Sequence, residues 1–127
     1  MVLCHGVGMK TLILSLCLVA TVAAPAMADL VQVVAATADP DVASWTITAT
    51  LRHPDTGWDH YADAWEVLAP DGTSLGVREL AHPHVEEQPF TRSLSGVVIP
   101  DGLDHVLIRA RCQVDGWGDV TFRLDLP

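Results

Sequence analysis

Between residues 44 and 52 the chain changes character at every step. Trp45, Ile47, Ala49 and Leu51 are apolar, while Ser44, Thr46, Thr48, Thr50 and Arg52 are polar. A period of two places all the apolar side chains on one face of an extended strand and does not fit the 3.6-residue repeat of a helix. The same alternation runs through Val106, Ile108, Ala110, Cys112 and Val114, and through Val120, Phe122, Leu124 and Leu126. These faces, with Trp45 and Trp65, are the candidate core. Cys112 reads there as a small buried apolar residue.

Turn residues divide the remainder into strands at 30–37, 44–53, 61–69, 74–81, 90–98, 105–114 and 119–126, with no segment of helical period. Pro70-Asp71-Gly72 and Asp115-Gly116 are hairpin turns in which Gly supplies a positive φ, and Pro100-Asp101-Gly102 is a wider one. About seven short strands in about a hundred residues predict an all-β fold, a single immunoglobulin-like or fibronectin-like sandwich of antiparallel strands. The paired cysteines of antibody domains are absent.

The sandwich is preceded by a segment of another kind. Met9-Lys10 begins an apolar run over 11–22, which ends in Ala23-Ala24-Pro25-Ala26-Met27-Ala28. A positive start, an apolar stretch of about a dozen residues and an Ala-x-Ala site form a secretory signal peptide, and the run is shorter than the ~20 residues of a membrane anchor. Residues 1–28 are therefore the signal peptide, with Met9 the expected true start, and 29–127 the β-sandwich domain. Leu16 occupies the position before Cys17 where lipoprotein processing requires a small residue, so the reading is a soluble product, periplasmic or secreted, with no membrane insertion of the mature domain.

Beyond residue 28 lie all sixteen acids but only six arginines, an excess of ten negative charges. Such a surface repels nucleic acid and anionic lipid and favours cations or basic proteins. Cys112 is the one cysteine after the cut, so no internal disulfide forms within the mature chain.

Short antiparallel connections send alternate loops to opposite ends of the sandwich. One end receives 38–43, 70–73 and 99–104, built from ordinary turn residues. The other receives 54–60, 82–89 and 114–118, and with them His60, His82, His84, Glu86, Glu87, Trp58 and Trp117, with His53 at the rim. In His82-Pro83-His84 the proline holds His82 extended, so that alternate imidazoles reach toward one ion. His60 would add a third nitrogen, and Glu86 or His53 a fourth ligand, a set suited to copper or zinc. The alternative is a non-catalytic module in which Trp58, Tyr61 and Trp117 contact a partner protein or a glycan. Arg92 is placed to pair with Glu86 or Glu87. With no nucleophilic elbow, phosphate loop or Cys-x-x-Cys pair, an enzyme is the weakest reading.

The stretch 57–65, with Gly57, Trp58, His60, Tyr61 and Trp65, and the stretch 82–93, with His82, Pro83, His84, Glu86, Glu87, Pro89 and Arg92, resemble a group of small exported bacterial proteins of unknown function with an immunoglobulin-like sandwich. The resemblance spans about half of the mature chain and implies a shared fold and an exported location, without an activity or ligand. Copper-zinc superoxide dismutases also carry His-x-His on a sandwich. Their remaining ligand pattern is missing here, as is the cupredoxin grouping near the last strands.

Cleavage after Ala28 predicts that the exported protein begins at Asp29. Intact-mass measurement of the secreted product checks this; a lipid-modified Cys17 as the first residue overturns it.

Overall fold

The structure is a computed structural model that describes residues 30–127. The signal-peptide boundary and the Met9 start lie outside the described residues. Eight strands occur in order: β1 (Gln32–Pro40), β2 (Trp45–Arg52), β3 (Ala62–Leu68), β4 (Ser74–Glu79), β5 (Phe90–Val97), β6 (His105–Cys112), β7 (Gly116–Trp117) and β8 (Phe122–Asp125). Among the described residues there is no helix.

Two antiparallel sheets form. One has the order β1-β2-β5; in the other β4, β3 and β6 are neighbours, and both β7 and β8 pair with β6. The fourth strand thus lies beside the third, whereas in a constant-type immunoglobulin domain it joins the first, second and fifth. This is the fibronectin-like variant of the expected sandwich.

The alternation holds where it is clearest. Ile47, Ala49 and Leu51 of β2 are fully buried and face Trp65, Val67, Val106, Ile108 and Ala110 of the opposite sheet, with Phe90 and Leu80 closing the core. On the outer face of the first sheet, hydroxyl pairs cross from β2 to β5, Thr48 to Ser93 and Thr50 to Thr91, both at 2.8 Å.

Three details depart from the sequence reading. β1 continues to Pro40, so the turn that follows is only Asp41 to Ser44, closed by the Asp41 N–H donating to Ser44 O. An edge strand tolerates the proline because its missing donor faces no neighbour. The last strand starts earlier, at Gly116, breaks over 118–121 and resumes at Phe122. Gly116, at φ 76°, makes the return immediately after the three-residue turn at 113–115. β3, finally, is buried on both faces. Its outward Glu66 is 6% exposed, paired with Arg109 at 2.6 Å and accepting from the Ser74 hydroxyl at 2.8 Å. Arg109 and Arg111 in turn lie over the Trp117 ring, at 4.6 and 5.1 Å from its centroid.

Truncating the largest core side chain, Trp65→Ala, is expected to lower stability by about 3–5 kcal/mol through lost contacts and a residual cavity. Urea unfolding followed by far-UV circular dichroism measures it; a change below about 1 kcal/mol would place Trp65 outside the core.

Candidate metal centre

β2 ends at Arg52, shortly before Pro54, which has no N–H to continue the ladder. The chain then bends through Asp55, and the segment 56–60 closes on itself with the Thr56 N–H donating to His60 O. Asp55 is 6% exposed and its carboxylate fully covered. A buried carboxylate must be compensated by donors. Here there are three: Oδ1 accepts from His53 Nδ1 at 2.5 Å and from the Ala62 N–H at 3.0 Å, and Oδ2 accepts from the His84 N–H at 2.8 Å. Gln88 adds two more ties, accepting from the His53 N–H and donating to His84 O. The loops 54–60 and 82–89 are therefore joined at one end of the sandwich, and the Gln113 N–H donating to Tyr61 O brings in the β6–β7 turn.

The bond to Asp55 fixes which nitrogen of His53 is available. Nδ1 carries the proton shared with the carboxylate, leaving Nε2 as the free lone pair. That atom is buried with no protein hydrogen-bond partner, as is Nε2 of His60. The two rings meet edge to face, their centroids 4.9 Å apart. One ring nitrogen of each, and the sulfur of Cys112, all lie within 4.8 Å of one another. This group could hold a metal ion. Zn–N and Zn–S bonds of ~2.1 and ~2.3 Å imply donor separations of roughly 3.3–3.8 Å, so closure by about 1 Å would complete such a site. The chain Asp55–His53 has the carboxylate–imidazole arrangement that orients metal-binding histidines.

Cys112 is 1% exposed, and that burial pushes its thiol pKa up. The backbone N–H groups of Asp115 and Val114 work in the opposite direction, while the nearby Asp115 carboxylate again favours the protonated form.

The other candidate side chains are distributed differently. His82 and His84 are neighbours, with ring centroids 4.6 Å apart, but they stand outside the His53–His60–Cys112 group. His84 is 4% exposed, stacked at 3.9 Å on Phe90, with Nε2 accepting from Arg92 at 2.8 Å. His82 is exposed and contacts Pro83 O. Glu86 is exposed; Arg92 pairs instead with Glu87 at 3.5 Å. Where the sequence pattern drew His60 toward His82 and His84, the structure gathers it with His53 and Cys112. Trp58 is 64% exposed and meets Tyr61 edge to face, whereas the Trp117 ring is engaged by two arginines. An apolar groove of about 410 Å³ between 30–34 and 120–122 carries none of these imidazole or thiol groups.

Cys112 was legible as a core residue, and Asp55 gave no sequence signal as a ligand-orienting group. The available clue was positional: Cys112 closes a strand whose following turn belongs to the histidine-bearing end.

Comparison with known proteins finds a similar protein. A Halomicrobium mukohataei protein named "Putative lipoprotein" is 41% identical over 78 residues, which make up 61% of this chain and 38% of that protein. The chain thus matches well under half of the relative's length. No protein-family model matches the chain, and no solved structure matches it.

Burial, the Arg92 guanidinium and His82 all lower the His84 pKa, against weaker opposition from Glu87 and Asp55. The folded state therefore binds its proton less readily than the unfolded chain. The stability this contributes is present above the unfolded value of about 6.5 and is lost as pH falls through the folded value. Denaturant unfolding from pH 7 downward is expected to show decreasing stability below about pH 6.5, with a shallower dependence in His84→Gln. An identical pH dependence in that variant would remove His84 as the cause.

Proposed function

We propose that this is an exported metal-binding protein that carries, buffers or senses copper or zinc through its histidine-bearing end. The observation that carries the reading is the convergence of His53, His60 and Cys112, in which two buried imidazole nitrogens have no protein partner and one imidazole is oriented by a buried carboxylate. Such atoms are costly to bury, about 1–3 kcal/mol each when unsatisfied, and a bound cation would satisfy them. Excess negative charge raises the local cation concentration. Export is supported by the leader sequence and by the relative's name, which also admits an anchored form. Among the described residues no helix is long and apolar enough to cross a membrane.

A second reading, a protein- or glycan-binding module, is favoured by one observation. Trp58 presents most of its ring to solvent beside Tyr61, at the same end as exposed Val85 and Val114. The two readings are compatible if ion binding orders the surface presented to a partner.

Titration of the metal-free protein with copper and zinc is expected to give one ion per chain, abolished in Cys112→Ser and His53→Ala and retained in His82→Ala. Because the buried thiol must lose its proton, affinity should rise about tenfold per pH unit over pH 6–8. Binding of neither metal, or binding that survives both ligand variants, rejects the proposal.

A further inference from the structure

The His53–His60–Cys112 group is bordered by one further side chain with ligand chemistry. Asp115 Oδ2 lies 3.7 Å from His60 Nε2, too long for a hydrogen bond but within ion-pair reach. Asp115 also sits in the three-residue turn that leaves Cys112. It therefore adjoins two of the three donors. The backbone puts it there: β6 ends at Cys112, and Gly116, in a positive-φ conformation, returns the chain so that it pairs directly with Cys112. Asp115, the last residue of that turn, is held over the end of the strand.

Exposure divides the four side chains into an inner and an outer pair. His53 and Cys112 are each 1% exposed. The side chains of His60 and Asp115 are 22% and 23% exposed. An ion arriving from solvent meets the outer pair first.

We infer that Asp115 is the fourth, solvent-side ligand of a four-coordinate divalent cation of the zinc class, seated on His53, His60 and Cys112. This inference rests on the metal-binding reading above and narrows it. Two nitrogens, one sulfur and one carboxylate oxygen are the donor types of tetrahedral zinc sites. A carboxylate donor suits a harder divalent ion, whereas a thiolate with two imidazoles alone would also satisfy monovalent copper. Charge points the same way. Counting the thiolate, the Asp115 carboxylate and the buried Asp55 carboxylate behind His53, a divalent ion leaves one net negative charge at this end of the core and a monovalent ion leaves two.

The test is competition titration of the metal-free chain with Zn(II), and with Cu(I) under reducing conditions, comparing wild type with Asp115→Ala, Asp115→Asn and Cys112→Ser. Asp115 occupies a surface turn, and the asparagine variant preserves its shape, so circular dichroism should report an unchanged fold. Both Asp115 variants are expected to weaken Zn(II) binding by at least about tenfold, the scale of even an outer-shell partner, and to leave Cu(I) affinity unchanged. Co(II)-loaded wild type should show tetrahedral ligand-field bands with sulfur-to-cobalt charge transfer. In Asp115→Ala the charge transfer should persist while the ligand-field bands shift. Zn(II) affinity unchanged in both Asp115 variants, with binding still lost in Cys112→Ser, overturns the fourth ligand and leaves the three-donor site intact. Loss of Cu(I) affinity equal to that of Zn(II) overturns the assignment to a divalent ion. Binding indifferent to Cys112→Ser overturns this inference together with the reading beneath it.

Discussion

A carboxylate placed where water cannot reach it organises one end of this molecule. Asp55 accepts from the ring of His53, from the first backbone N–H of β3 and from the N–H of His84. Those donors belong to the end of one sheet, the start of the other and the loop preceding β5. Removing any of them would leave buried charge under-compensated, so the three segments are held in fixed relation by the cost of separating them. Gln88 reinforces the arrangement by bonding to both His53 and His84. The same carboxylate that joins the loops also holds the ring of His53, leaving Nε2 as the nitrogen without a protein partner. Folding and site geometry are set by a single group.

The sandwich supplies what Asp55 alone could not, a rigid strand carrying the thiol. β6 is flanked by β3 on one side and by β7 and β8 on the other. The outer surface of this sheet is not simply solvated. Arg109 neutralises the buried Glu66, Arg111 bonds to Asp63 at 2.9 Å, and both guanidinium groups lie over Trp117. Cation–π contact of this kind lets the ring and the arginine stems cover the backbone while the charges remain paired. Cys112 thus ends a strand supported on both edges and on both faces. The turn beyond it, fixed by Gly116, carries Asp115.

How much of this could be read from the chain differs by level. The alternation of Trp45, Ile47, Ala49 and Leu51 was sufficient for β2, because period two records the environment of one face directly. It failed for β3, where Glu66 is buried outward: burial there comes from Ser74 across the following hairpin and from Arg109, distant in sequence. The break in the last strand was invisible for a similar reason, since it depends on where Gly116 returns the chain relative to β6. Grouping of the histidine-bearing loops at one end was legible because antiparallel connections alternate. The convergence of His53, His60 and Cys112 was not. His82 and His84 have the more suggestive spacing, yet Phe90 and Arg92 engage His84. Cys112 was assigned correctly to the core face, but alternation gives a residue's face and not its height along the strand. It is that height, set by Ala62 pairing with Cys112 across the sheet, which brings the thiol to the histidines.

The energetics of the interior give the site its significance. A small sandwich is only marginally stable, and its largest favourable contribution is the apolar layer around Trp65, Ile47 and Phe90. At the edge of that layer the chain places two imidazole nitrogens without protein partners next to a thiol kept protonated by burial. His84 Nδ1, Trp65 Nε1 and Arg78 Nε also lack partners, but none of them belongs to the convergent set. Apolar residues of similar volume at 53, 60 and 112 would extend the core and relieve each unsatisfied group. The sequence instead spends part of its stability on a polar cluster and orients one member with a buried carboxylate. Local departures from the rules of a well-packed interior concentrate at functional sites, because there the unsatisfied groups are the ones a ligand uses. The end of the domain that folds least economically is therefore the end that carries the proposed site.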